Sequence, residues 1–306
     1  MINYFLAATV VAAIPLLYGA LGAIVSEKSG LLNLGVEGVM IIGAISSYLL
    51  ALKTGSIILA IFGGMFFGIL FNLIFGVLTI TLKANQSVTG LTLATFGVGL
   101  ANTLGRPYAN IAIADNVIAF LAPYKIPLLG DIPFIGSILF NQSFMVYLAY
   151  ILVVILTVLF KWSKWGLYLK AVGENPAASD SVSINVTKIR YYAVIISGAI
   201  IALGGEFLSL AYLTKWQPSI TMGRGWIAVA LVIFAAWKPL RALLGSLLFG
   251  GLMIIQFYFK LPISSYFIVM LPYLFTIIIL VFLSSGKKSR TKPPAALGLP
   301  YYRETR

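Results

Sequence analysis

Charged residues in this chain fall in clumps. Between the clumps lie long uncharged stretches, at 1–26, 54–82, 84–105, 132–160, 242–259 and 261–286. A helix that crosses a hydrocarbon core of roughly 30 Å needs about 20 mostly apolar residues, and several of these stretches reach that length. Their few polar positions do not recur with the 3.6-residue period of a helix wetted on one face. The pattern predicts spanning helices over 4–25, 31–51, 56–81, 87–104, 142–160, 191–213, 224–240, 242–259 and 266–285. The stretch 110–122 is apolar but short and interrupted by Asp115, so it reads as a re-entrant or interfacial helix. No positive leader precedes the first stretch, which runs on through Glu27 and Lys28 into more membrane sequence. It is expected to be a first span and not a cleaved signal. The expected fold class is all-α, a polytopic transmembrane helix bundle of about 8–10 spans. It divides into a membrane domain, 1–286, containing a long polar loop at 161–190, and a basic cytoplasmic tail, 287–306.

Composition agrees. Apolar residues make up 60%, charged residues 9%, and mean hydropathy is +1.02, against roughly 45–50% apolar and about 25% charged in soluble domains. The net charge of +13 is a topology signal: the basic residues sit between spans and at the C-terminus, without the interleaved aromatics that would stack nucleic-acid bases. If the 161–190 loop is cytoplasmic, alternating the spans puts all but six of the 21 basic residues inside, the six being Lys53, Arg106, Lys125, Lys215, Arg224 and Lys260. The tail then lies inside and the N-terminus outside. The tail, with Pro293-Pro294, reads as a solvated segment held by anionic membrane lipid, or as a contact with a cytoplasmic partner.

There is no Cys and no His. Disulfides, the usual zinc sites, thiol nucleophiles and imidazole acid–base chemistry are excluded. No phosphate-binding loop is present; Gly286-Lys287-Lys288-Ser289 lacks the upstream glycine and the Ser/Thr directly after the lysine. With eight acidic residues and no nucleophile elbow, no catalytic residue, metal site or cofactor is expected, and a membrane-embedded enzyme is the weakest reading.

Polar residues inside apolar runs face a partner or a watery cavity. Glu37, in Asn33-Leu34-Gly35-Val36-Glu37-Gly38, is either part of a solute path or an anion in the first turn of a helix. Glu206 lies mid-span and reads as cavity lining or helix packing. Asn72, Thr92, Thr95, Asn102 and Thr103 interrupt two further spans, and the last four fall within roughly 100° of one helical face. They make either interhelical hydrogen bonds or a solute path. Gly64-x-x-x-Gly68 and Gly97-x-x-x-Ala101 permit close helix approach. The stretches Gly30–Gly43 and Gly223–Ala236 are weakly alike, as halves of an inverted repeat are.

The 161–190 loop holds Ala171-Val172-Gly173-Glu174-Asn175-Pro176-Ala177-Ala178. Pro176 suits the first turn of a short helix with Asn175 as its cap, and small alanines let a partner approach closely. Together with Gly30–Gly38, Gly90–Gly97, Gly223–Ala228, Trp237–Leu240 and Pro294–Tyr301, it resembles bacterial ABC importer permeases of the branched-chain amino acid and ribose class. The tail block is similar to the nucleoside-transporting subgroup. The resemblance implies an ABC permease fold and a coupling helix seated in a cytoplasmic ATPase, with Glu174, Asn175, Pro176, Ala177, Ala178 and Asp180 as contacts. It also implies a second, non-identical permease, an external solute-binding lipoprotein and a multi-pass place in the bacterial cytoplasmic membrane. Simple sugars or branched-chain amino acids are alternative solutes. An ion-coupled secondary transporter using Glu37 or Glu206 is the competing class. One position departs from the family: relatives usually have glycine where this chain has Ser183, in a turn where glycine would allow positive φ.

Overall fold

The structure is a computed structural model describing residues 2–259, scattered helical positions between 267 and 281, and residues 292–303. The predicted span at 266–285 and the Gly286–Ser289 fragment therefore lie largely or wholly outside the described residues. Four helices run back and forth first: α1 (Ile2–Lys28), α2 (Val36–Thr54), α3 (Ile57–Gly76, prolonged as a π-helix over Val77–Thr81) and α4 (Gln86–Gly105). A loop region follows with α5 (Asp115–Leu121), β1 (Tyr124–Lys125), α6 (Ile135–Leu139) and β2 (Asn141–Gln142), the two strands forming one short antiparallel pair. Then come α7 (Phe144–Trp162), α8 (Lys164–Glu174), α9 (Pro176–Ser181), α10 (Val186–Glu206, prolonged as a π-helix over Phe207–Tyr212), α11 (Arg224–Phe234) and α12 (Pro239–Tyr258).

Six of these helices are long and apolar enough to cross a membrane among the described residues: α1, α2, α3, α4, α7 and α10 with their extensions. They match the first six predicted spans. The 110–122 stretch holds only the seven-residue α5. Side-chain oxygens start several helices: Asn85 accepts from Val88 N at 3.0 Å and Asn185 from Lys188 N at 2.9 Å, which satisfies N–H groups that a helix start leaves open.

The most apolar windows of α1, α2 and α10 are 89, 72 and 83% buried, against 28, 33 and 28% for α3, α4 and α7. The first three form the centre and the others the rim. Small residues bring the central helices together. A methyl group on Gly97 of α4 would lie 2.7 Å from the Gly38 Cα of α2, so the two backbones cross with nothing between them. Gly64 and Gly68 of α3 face Glu206 and Ala202 of α10 in the same way. The rim turns apolar side chains outward, among them Phe62, Phe66 and Leu70 of α3 and Ile151, Val154 and Val158 of α7.

The predicted span at 224–240 is corrected. Its helix, α11, has 11 residues and is about 16 Å long at 1.5 Å per residue, half a bilayer core. Before it lies a stretch of bends and turns, 213–223, where Thr214, Ser219 and Met222 take positive φ. Ala228 meets Gly19 of α1, while Trp237 Nε1 donates to Glu27 near the end of α1 at 2.6 Å. Gly19 lies eight residues before Glu27, about 12 Å along α1. So α11 starts part-way along α1, and Arg224 lies at that start. The break is tolerated because the unwound backbone is enclosed by protein or borders a cavity.

The tail is the second departure. Residues 292–303 do not trail into solvent: Pro294 and Ala296 are buried at the end of the bundle that holds α8, α9 and the α1–α2 turn.

Candidate functional site

At one end of the bundle, α9 is a short helix held between two caps. Asn175 accepts from Ala178 N at 3.0 Å, with Pro176 at the first helical position, as the sequence predicts. Its approach is fixed by α8, whose Gly173 packs on the Lys28 carbonyl. Two residues past its end, Ser183 sits at φ +65°. The turn thus keeps left-handed geometry with serine in place of glycine. Two residues later Asn185 caps α10. Asn175, Ala177 and Ala178 are exposed, Pro176 is half-buried, and Val182 stands out beyond them. Glu174 accepts from Ala295 N at 3.3 Å and Asp180 pairs with Arg303 at 3.4 Å. The six predicted coupling residues therefore lie together on one edge.

Inside the bundle, Glu37 holds the start of the half-helix. Its Oε1 accepts from Thr221 Oγ1 at 2.5 Å and Gly223 N at 3.0 Å, and its Oε2 from Gly225 N at 2.7 Å. Glu37 is also the second residue of α2, so one carboxylate serves the positive ends of two helices. The weakly similar stretches at Gly30–Gly43 and Gly223–Ala236 meet at this residue. Asn72 is fully buried and joins three segments: it accepts from Asn33 Nδ2 and donates to Val194 O, both at 2.7 Å. Glu206 is fully buried beside Gly64 and Ser47, and its carboxylate oxygens have no hydrogen-bond partner among the described residues.

Thr92, Thr95 and Thr103 project from the exposed face of α4, with Gly99 between them and Asn102 half-buried alongside. The threonine hydroxyls donate back to their own helix, for example Thr92 Oγ1 to Val88 O at 2.9 Å and Thr103 Oγ1 to Gly99 O at 2.8 Å. Each keeps an outward acceptor. Asn102 reaches across to the unwound stretch, accepting from Ser219 N at 2.8 Å and donating to Ser219 Oγ at 3.2 Å. Behind Ser219 lies a cavity of about 290 Å³ lined by Gln217, Ser219, Met222, Arg224, Met253 and Phe257 among others. Of the predicted path residues, Thr92, Thr95 and Asn102 thus share one open face, whereas Glu37, Asn72 and Glu206 lie within the packed centre. Reading the sequence missed Ser219, Gln217 and Thr221. The signal that would have found them is the polar run Thr214–Thr221 around Pro218, followed by the glycines flanking Arg224, between two apolar stretches.

The chain matches the family described as branched-chain amino acid transport system, permease component, over residues 5–283. It belongs to that family. A guanosine ABC transporter permease protein of Bacillus subtilis, NupQ, is 35% identical over 100% of this chain and 98% of its own. A nucleoside ABC transporter permease protein of Lactococcus lactis, NupC, is 36% identical over 87% of each chain. A provisionally assigned glucose ABC transporter permease protein of Haloferax volcanii, TsgC13, is 38% identical over 81% of this chain and 75% of its own. In three dimensions the fold is similar to a provisionally assigned metal-chelate type ABC transporter in an inward-facing conformation, with TM-score 0.51 and 13% identity, covering 90% of this chain and 84% of that one. This permease is a multi-pass membrane protein and a transport subunit, not itself an enzyme. Membership of an ABC system implies an ATPase partner.

Proposed function

We propose that this permease conducts nucleosides into the cell as part of an ABC importer. The reading rests chiefly on the guanosine permease relative, which aligns over the whole of this chain and nearly all of itself. The ATPase groove receives α9, with Glu174, Asn175, Pro176, Ala177, Ala178 and Asp180 as its contacts. Because α9 passes through a single tight turn into the capped start of α10, a displacement of α9 is delivered to α10 and so to the centre of the bundle. ATP favours one arrangement of the ATPase pair and thereby one arrangement of the pore. Solute moves along the α4 face, where Thr92, Thr95 and Asn102, with Ser219 opposite, offer donors and acceptors to the hydroxyls and base edges of a nucleoside. Glu37 and Asn72 keep the half-helix and the α3–α10 contact in place. A second permease of different sequence closes the pore, an external lipoprotein delivers solute, and the assembly sits in the bacterial cytoplasmic membrane.

A simple sugar is the second reading, favoured by the glucose permease relative. The two are separated by uptake of labelled guanosine into liposomes bearing the whole complex, with unlabelled uridine or glucose as competitor. Competition by uridine and not by glucose is expected. Competition by glucose alone would move the assignment to sugars.

A further inference from the structure

Residues 292–303 form a strap alongside α8 and α9. Ala296 N donates to Gly173 O at 2.9 Å and Ala295 N to Glu174 Oε2 at 3.3 Å, while Arg303 Nε pairs with Asp180 at 3.4 Å. The strap therefore follows the coupling segment from its beginning to its end. On its other side, Gly298 N donates to Gly30 O at 3.1 Å and Leu299 O accepts from Gln86 Nε2 at 3.5 Å. The Lys83 ammonium lies 4.1 Å from the centre of the Tyr302 ring. Gln86 is the first residue of α4, and its Oε1 also accepts from Leu32 N at 2.7 Å. The strap is thus wedged between the coupling helix, the α1–α2 turn and the foot of α4.

Its inner residues, Pro294 and Ala296, are buried, while its outer ones are apolar and open to water. Leu299 is 58% exposed and Tyr302 44%, next to a coupling segment that presents Ala177, Ala178 and Val182, the last 67% exposed. The patch lies at the end of the bundle that holds α8, α9 and the α1–α2 turn, where the strap meets Lys83 and Gln86 at the ends of α3 and α4. Apolar side chains grouped on a water-facing surface and continuous with a docking segment mark the rest of that docking surface.

We propose that the strap is a second arm of the ATPase-docking surface, with Leu299 and Tyr302 contacting the same ATPase subunit that receives α9. This rests on the coupling-helix reading above. Its hydrogen bonds to Gly173 and Glu174 make strap and coupling segment one body, and Gln86 and Lys83 extend that body to the foot of α4.

The chain has no cysteine, so a single introduced thiol is unique in this subunit. Leu299→Cys, Tyr302→Cys, Ala177→Cys and, as a control on the loop at the far end, Leu128→Cys would each be labelled with a thiol-reactive benzophenone in the assembled complex and irradiated. Adducts with the ATPase are expected at 299, 302 and 177 and none at 128. Adducts at 177 without any at 299 or 302 would overturn the strap inference and leave the coupling helix standing. No adduct at 177, 299 or 302 would overturn both. As a second measure, Leu299→Asp with Tyr302→Asp should lower co-purified ATPase roughly tenfold, the loss expected when a buried interface anchor is removed. Unchanged recovery would contradict direct contact.

Discussion

At the scale of single residues, what matters is which polar groups are satisfied within the chain. Glu37 accepts three hydrogen bonds from the start of α11, two of them from backbone N–H groups. Glu37→Gln turns one acceptor into a donor facing those groups, and hydrogen bonds to a charged group are worth about 1.5–3 kcal/mol each. The variant should unfold at lower temperature in detergent and transport poorly; unchanged stability would mean the clasp carries no weight. Glu206 is the opposite case. No hydrogen-bond partner meets its carboxyl among the described residues, so Glu206→Gln should leave stability nearly unchanged, because the amide matches the carboxyl in size and brings no charge into the buried site. A marked loss would show that a partner exists in the assembled transporter. Ser183 holds φ +65°, which costs a non-glycine residue about 1 kcal/mol. Ser183→Gly is expected to stabilise the turn by up to that amount in thermal unfolding. The sequence pointed to this turn through the missing glycine. It gave no sign of how Glu37 is used, because a carboxylate in a first helical turn looks the same whether or not a second helix start meets it.

At the scale of elements, long helices were legible and interruptions were not. Mostly apolar stretches of about 20 residues, with at most an isolated charge within them, predict α1, α2, α3, α4, α7 and α10, since nothing else satisfies the backbone in hydrocarbon. The same reasoning fails at 224–240, where the apolar run predicts a full span but the helix stops at Phe234, and Ala236 and Trp237 take positive φ just beyond it. The tail misled for a related reason: its basic composition describes a wet segment, while its docking depends on Pro294, Ala296 and Gly298 fitting against Gly173 and Gly30, which no composition records. For α9, the cap and the proline predicted the helix directly. The α4 face is open to test as an element. Asn102→Leu removes both hydrogen bonds to Ser219 and makes the stripe more apolar. Uptake should fall severalfold while ATPase association is unchanged; normal uptake would place the solute path elsewhere.

At the scale of the whole molecule, the architecture links two surfaces through a packed centre. The proposed coupling helix and the strap lie at one end, the α4 face and the stretch 213–223 line the side of the bundle, and α10, α2 and α1 lie between, most deeply buried. A centre packed through glycine contacts passes on displacements and does not absorb them. The most direct test of this account is uptake by the complete complex in liposomes, comparing the wild type with a variant carrying Ala177→Trp and Ala178→Trp, which makes α9 too bulky for a partner groove without touching the bundle. The prediction is ATP-dependent guanosine uptake for the wild type, and for the variant normal membrane insertion with neither uptake nor bound ATPase. ATP-driven uptake by the variant at the wild-type rate would contradict it.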